Sequence, residues 1–589
     1  MEMIFADLRK FFRYLAAILL LTAPFMAMPL AFGRLGGLPV PLFGLVQCVT
    51  MPVMTMLALA VIAAFPEELL PLWHNRKLKF LLLSAGAYTL VLCWQLLIAR
   101  ITGEEFLGGM FFVTMPLAAA ALNRELRRIL PFFAATGALL IYWSGCTSEN
   151  FTGLLGNWNW SCGLLTALIP AIFLAGKYRH WQRWSLIALT VFFAASFCIS
   201  PERFPRSALL AAAVATGIIF LREKMPERKF SKALIAVTAA VTGIFFIFIS
   251  SYDLPDTRFQ IWRGALDSLL HEPLTGAGSG HFSEIIRANL YESFYFTEFA
   301  AGHIDHAHND LLNIFTECGI FGAIFYFAAL LTLLPVRTKN DHDKLAKWIF
   351  AVMLVCGCFD QHNITVPIAS FTALAAGMLL IPAKRFAPPP LPAGSYTALQ
   401  TFAGIVLFLC AFHTAEINWR ATRFIRQGDM MLLRGDINGA LQKYASSMRK
   451  KVTRHALYQS AEIYLLKQLP QCTMDMIAKM EKDLHISNYR HTQRFQAIAA
   501  LQTGNPALAI AAWEKEMLNA PYSVINAHFQ CFLVRTAGMD STVTQAADQH
   551  FLELCQMRNL DPQDIQRAFT PEMDDAAFPP EIREAYFQK

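Results

Sequence analysis

The stretch 302-GHIDHAHNDLLNIFTECGIFG-322 decides how this chain reads. His303, Asp305, His306, His308, Asn309 and Asp310 crowd into eight residues and run directly into the apolar segment 311–335, long enough to cross a bilayer. Ionisable groups at a membrane edge are costly to bury and mark functional sites, so the chemistry is expected where water meets lipid.

Working outward, the chain alternates apolar blocks with short loops. Only 16% of the 589 residues are charged, against roughly 25% in soluble domains, which places most of the chain in a membrane. The blocks predict helices at 12–32, 39–65, 78–98, 106–122, 129–144, 159–176, 184–200, 207–221, 233–250, 311–335, 348–360, 365–382 and 396–415. The expected fold is therefore an all-α polytopic membrane protein of about 12–13 transmembrane helices, in which 207–221 and 348–360 are short enough to be tilted, broken or re-entrant.

Loop charges give an independent reading, because Lys and Arg accumulate on the cytoplasmic side. Arg9, Lys10 and Arg13 put the N-terminus inside. Every second loop repeats the signal, through Arg76 and Lys77, Arg124 to Arg128, Lys177 to Arg183, Arg222 to Lys232, Arg337 to Lys347, and Lys384 and Arg385. The intervening loops are poor in cations, with two exceptions. Pro201–Arg206 carries Arg203 and Arg206, and the long loop 251–310 carries Arg258, Arg263 and Arg287. Topology does not call for these arginines, so they require another role. The net charge of +7 reflects the cytoplasmic loops and is no sign of nucleic-acid binding.

The first apolar segment lacks a small-x-small cleavage site and leads into a polytopic protein, so it reads as a retained anchor. Most cysteines fall inside spans as small apolar residues, and Cys146 and Cys162 flank an outer loop where a bridge is feasible in an oxidising compartment. Residues 1–415 read as the membrane domain and 251–310 as a large extracytoplasmic loop. Residues 416–589 are charged, helix-prone and punctuated by Gly-Asp and Gly-Asn turns. RGDINGALQKYASSMRK aligns on TGNPALAIAAWEKEMLNAP, with Gly435 on Gly504, Ala440 on Ala509 and Tyr444 on Trp513. The offset of 69 is close to two 34-residue periods, the tetratricopeptide spacing, with a weaker unit near 469–480; an unrelated helical bundle is the alternative. With an odd number of spans and the N-terminus inside, this tail lies extracytoplasmically.

Three further segments fall on the same outer side. In 153-GLLGNWNWSCGLLTALIP-170, Asn157 and Asn159 alternate with Trp158 and Trp160 and suit a polar lining or sugar contacts, or else an aromatic belt. In 200-SPERFPRSALL-210, Arg206 opens a span, where it binds an anion or snorkels to head groups. In 256-DTRFQIWRGALDSLLHEPLTGAGSGHF-282, an amphipathic helix with Ile261, Trp262, Ala265, Leu266 and Leu269 on one face precedes a turn at Gly276, Gly278 and Gly280. Such glycines expose backbone amides suited to an anion, although no P-loop or dinucleotide fingerprint is present. Guanidinium groups bind phosphate bidentately, so Arg258 with the other outer arginines points to a phosphate-bearing lipid.

For the histidine cluster three readings compete. A metal site lacks any spaced zinc pattern. Solvated loop histidines are a passive reading. The third makes His308 a general base, since an unperturbed imidazole suits removal of a proton from an attacking hydroxyl near neutral pH. A non-catalytic lipid or glycan transporter also fits many spans, but transport needs binding groups near the midplane, and the ionisable residues here gather at span ends.

The pattern His308-Asn309, nine residues, then Gly319 resembles the signature of the O-antigen ligase superfamily, which includes O-antigen polymerases and bacterial O-oligosaccharyltransferases. GLLGNWNW before a span, Arg206-Ser207 opening a span, and RFQIW followed by PLTGAGSGHF resemble it in the same order. The resemblance covers Gly153 to Gly322; the first 150 residues match only in being helical, and the tail lies outside it. It implies an inner-membrane enzyme that moves a glycan from an undecaprenyl diphosphate carrier to a lipid or protein acceptor hydroxyl, without metal or other cofactor. Carried over, His308 activates the acceptor, Asn309 supports it, and Arg206 and Arg258 hold the diphosphate. The family's Ser-Arg-Gly run appears here as Pro205-Arg206-Ser207, so Arg203 and Arg206 are rivals for one role, and Arg263 is a weaker candidate. The tail is expected to offer a protein-binding surface.

Overall fold

The computed structural model describes residues 2–26, 34–35, 38–39, 50–75, 78–146, 158–178, 206–251, 257–286, 289, 304, 306–338, 340–359, 365–381, 394–486, 489, 491–519, 523–536, 538–557 and 561–563. The expected span at 184–200 and residues Asn157, Arg203, His303 and Asp305 lie outside them.

The first helices are α1 (Glu2–Met26), α2 (Met51–Ala64), α3 (Leu70–His74), α4 (Lys79–Leu97), α5 (Gly103–Ala121), α6 (Asn123–Cys146) and α7 (Trp158–Tyr178). They are followed by α8 (Arg206–Lys224), α9 (Glu227–Ser251), α10 (Thr257–His271), α11 (Phe282–Ile286), α12 (Asp310–Leu333), α13 (Asp341–Gly357), α14 (Val366–Leu380) and α15 (Gly394–Leu432). A two-residue pairing of Arg34–Leu35 with Leu38–Pro39 interrupts an otherwise helical chain. The described parts of the apolar blocks are helical almost throughout, with Pro39 of the expected helix 39–65 in the short strand pairing instead, so the all-α polytopic reading holds. Among the described residues four helices are long and apolar enough to cross a membrane, and two sharply bent pairs raise this to six.

Lipid acts as the solvent of this bundle. Leu83, Leu90 and Leu97 of α4 are more than 70% exposed, and Ile235, Val241 and Ile244 of α9 and Phe402, Leu409 and Phe412 of α15 also point outward. An apolar surface this continuous is stable only against hydrocarbon. Inside, small residues let helices approach: a Cβ at Gly377 of α14 would sit 2.3 Å from Pro116 O on α5.

The basic loops gather at one end of the bundle. Arg13 Nε donates to Glu125 Oε1 at 2.9 Å and pairs with Glu68, while Arg127 pairs with Asp343 and donates to Ile381 O at 3.2 Å. Lys177 bonds to Asp341 at 2.5 Å, Lys344 lies 3.6 Å from Glu223, and Arg222 caps Pro335 O. The alternating charge pattern thus corresponds to one physical face. The histidine segment lies at the other.

Beyond the bundle, α15 carries from a membrane-length apolar stretch into the polar tail without a break. Seven helices follow as antiparallel neighbours: α16 (Ile437–Met448), α17 (Arg454–Leu466), α18 (Pro470–Leu484), α19 (Thr492–Gln502), α20 (Pro506–Asn519), α21 (Val524–Thr536) and α22 (Ser541–Met557). The aligned positions are equivalent in space. Gly435 and Gly504 both turn at positive φ (78° and 72°), Ala440 and Ala509 are fully buried, and Tyr444 and Trp513 are buried as the closing aromatics.

Candidate functional site

The site is built where a broken helix meets a glycine turn. Inside α12, Gly319 has φ 64° and ψ −160°, which interrupts the helical hydrogen bonding. The turn after α10 takes over the missing partners: Ala277 N donates to Thr316 O and Gly278 N to Glu317 O, both at 3.0 Å, and Ile320 N donates to Pro273 O at 2.9 Å. Gln95 of α4 ties both chains, its Nε2 donating to Thr275 O at 2.7 Å and to Glu317 O at 2.9 Å. The Glu317 carboxylate faces the amides of Gly280 and Phe282 and the side chain of Asn313. This corrects the expectation that the glycine amides serve an outside anion. The broken helix and its own carboxylate already use them.

Immediately upstream, α12 is capped by Asn309. Its Oδ1 accepts from Leu312 N at 3.0 Å and its Nδ2 donates to Cys358 O at 2.9 Å, anchoring the signature to the end of α13. His308 therefore sits on the turn entering the cap, and it adopts φ 50°. Left-handed backbone at a non-glycine residue is strained and clusters at functional sites. Its ring lies 4.3 Å from that of His306. Asn313 Oδ1 accepts from Ala307 N at 3.3 Å, so one side chain spans the histidine turn and Glu317.

The amphipathic helix α10 covers this turn as expected. Ile261, Trp262 and Ala265 are buried against Phe282, Ile286, Ile304, Ala307 and Leu312. Trp262 Nε1 donates to Ala307 O at 2.8 Å, fixing the residue next to His308. Arg258 Nη1 donates to Phe359 O at 2.8 Å, so this arginine sits at the end of α13 where Asn309 is anchored. Arg263 is half-buried on the same helix, but at about 100° per residue it lies some 140° round from Arg258. Those two arginines do not share a face. Arg206 begins α8, as an arginine opening a span should, but its side chain lies outside the described residues. Asn159 lies in the first turn of α7. Cys162, one turn further, is a free buried thiol, and the side chain of Cys146 lies outside the described residues.

A cavity of about 860 Å³ runs down the bundle from this site. His306, Asp310, Asn313, Glu317, Glu105 and Ser279 line its mouth, and Leu81, Leu117, Phe325, Leu333 and Leu380 line its depth. His281, 5% exposed, has Nε2 3.4 Å from Glu105 Oε2 beside the mouth. Among the described residues no three His, Cys, Asp or Glu side chains converge to hold a metal.

Residues 161–327 match the O-antigen ligase family. No curated protein and no solved structure matches the chain. The matched segment runs from α7 into α12, and the match supports glycosyl transfer of the O-antigen ligase and polymerase type. It also isolates what sequence reading missed. Gln95, Glu104 and Glu105, the Phe359 carbonyl and the tail lie outside the matched segment, yet they line the cavity or bond to the residues around it. Gln95 and Glu105 sit at the end of an apolar helix and the start of another, where a polar residue reads as an ordinary boundary.

Proposed function

We propose that the protein transfers a glycan from an undecaprenyl diphosphate carrier to an acceptor hydroxyl at the extracytoplasmic face of the inner membrane. The cavity carries this reading. An apolar shaft below a polar mouth suits an amphiphile whose polyprenyl chain lies among α4, α5, α12 and α14 while its diphosphate and sugars reach the histidine turn. The family match over 161–327 supports the same class of chemistry. The basic loops at the opposite end support a cytoplasmic orientation for that end.

The acceptor hydroxyl gives its proton to His308 as its oxygen attacks the anomeric carbon. The bond from that carbon to the diphosphate oxygen breaks, and one displacement inverts the centre. Arg258, with Arg206 or Arg203, stabilises the charge that develops on the leaving diphosphate. His306 lines the cavity and the His308 ring, tilted by 57°, has its centre 4.3 Å from that of His306, which puts the second ring within reach of a substrate held at the mouth. The paired tail helices offer a surface for a protein partner.

Purified protein incubated with a lipid-linked glycan should release lipid diphosphate as the glycan appears on acceptor. An intact lipid–sugar bond after prolonged incubation would favour a transporter and overturn the reading. Arg258→Lys keeps the charge but loses the planar fork. A charge-assisted hydrogen bond is worth ~1.5–3 kcal/mol, so kcat/KM should fall about 10- to 100-fold. Unchanged kcat/KM would remove Arg258 from diphosphate binding.

A further inference from the structure

The mouth of the cavity does not close within the membrane bundle. Lys451, Thr453, Arg454, Leu484, Ile486 and Tyr489, all from the tail, line it together with Glu104, Glu105 and His306. This wall is fixed in place. Lys451 forms an ion pair with Glu104 at the start of α5, and its Nζ donates to Asn418 Oδ1 at 2.9 Å on α15. Asn418 Nδ2 in turn donates to Thr50 Oγ1 at 3.3 Å, next to α2. The Arg454 guanidinium lies 5.8 Å from the centroid of the Tyr489 ring, which rests edge-on against Tyr458. The tail is thus docked against the start of α5 and, through Asn418, against Thr50 beside α2, with an arginine and a tyrosine lining the same cavity as His306.

The composition of that space identifies its ligand. Cations from the tail face carboxylates from α5, so the mouth has no single sign of charge that would select a polyanion or a polycation. It offers many donors and acceptors next to an aromatic ring and a histidine. This suits a polyhydroxylated neutral ligand whose hydroxyls both donate and accept. Its position above an apolar shaft means that a lipid-anchored ligand must present its head group between the histidine turn and the tail. We infer that the Arg454–Tyr489 wall is an oligosaccharide subsite, so that the tail is part of the substrate site and selects for sugars beyond the reacting one. This rests on the glycosyl-transfer reading above. The sugars belong either to the lipid-linked donor or to the acceptor chain.

The full chain in lipid nanodiscs, as wild type, Arg454→Ala and Arg454→Lys, would be titrated by intrinsic tryptophan fluorescence. The probes are a lipid-diphosphate oligosaccharide, the matching lipid-diphosphate monosaccharide, and the free oligosaccharide. Arg454→Ala is expected to weaken oligosaccharide binding about tenfold and to leave the monosaccharide probe unchanged, with Arg454→Lys intermediate. Weakening confined to the lipid-linked oligosaccharide assigns the wall to the donor; weakening of the free oligosaccharide assigns it to the acceptor chain. Unchanged affinity for both oligosaccharides overturns the subsite, as does an equal loss for the monosaccharide, which marks a purely structural contact. Release of lipid diphosphate by the wild type is scored separately. Its absence overturns the transfer reading, whereas turnover with insensitive Arg454 variants overturns the subsite alone.

Discussion

His308→Ala is expected to lower the rate of glycan transfer by about 10²- to 10⁴-fold, the usual contribution of a positioned general base, while membrane insertion and thermal melting stay close to wild type. The turn is anchored on both sides of His308 by neighbouring side chains. Asn309 caps α12 and reaches Cys358 O, and Trp262 holds Ala307 O, all without the imidazole. His308→Gly sharpens the comparison. At φ 50° glycine is unstrained, so this variant should melt at or above wild type by up to about 1 kcal/mol and be equally inactive. A more stable, inactive protein is the signature of strain kept for function. His306→Ala is the discriminating control, since His306 lines the cavity and its ring lies 4.3 Å from His308. Near-normal release of lipid diphosphate by His308→Ala, together with its loss in His306→Ala, would move the base to His306.

The membrane part of this fold was legible because lipid enforces a simple code. Apolar blocks must be helices, and basic loops must alternate, so the described spans and the clustering of Arg13, Arg127, Lys177 and Arg222 at one end follow from composition alone. The buried face of α10 was equally readable, since Ile261, Trp262 and Ala265 recur at helical spacing. In the tail, Gly435 and Gly504 marked helix-connecting turns, because only a few residue types accept their positive φ. What the sequence concealed is the pairing of distant backbone. Nothing in PLTGAGSGHF says that its amides face Thr316 and Glu317, because main-chain hydrogen bonds leave no trace in residue type. Lys451 and Arg454 were equally silent. Read locally they are ordinary polar positions around a helix start, and only the docking of the tail onto α5 brings them to the cavity.

The second large effect is expected from Gly319→Ala, which should prevent the site from assembling. A Cβ at Gly319 would lie 2.2 Å from Leu274 O and 2.4 Å from Leu274 C, both backbone atoms that cannot turn aside. Its φ of 64° with ψ −160° also belongs to a region that is essentially glycine's alone, at about 1–3 kcal/mol for any other residue. Two relaxations are open to the variant. If α12 straightens, Thr316 O and Glu317 O regain helical partners, but Ala277 N, Gly278 N and the Gln95 amide lose theirs in a water-poor setting, at ~1–3 kcal/mol for each group left unpaired. If the turn withdraws, Gly276 leaves its close approach to Glu317 and Cys318, and His281 loses its contact with Glu105 at the mouth. Either route sums to several kcal/mol, comparable to the whole stability of a folded domain. Gly319→Ala should therefore melt at least 10 °C lower or fail to accumulate, with transfer lost. Gly86→Ala on α4, where nothing lies within 4 Å, should be neutral or slightly stabilising under the same assay. A Gly319→Ala protein with wild-type melting and turnover would mean that the break in α12 is not what positions the histidine turn.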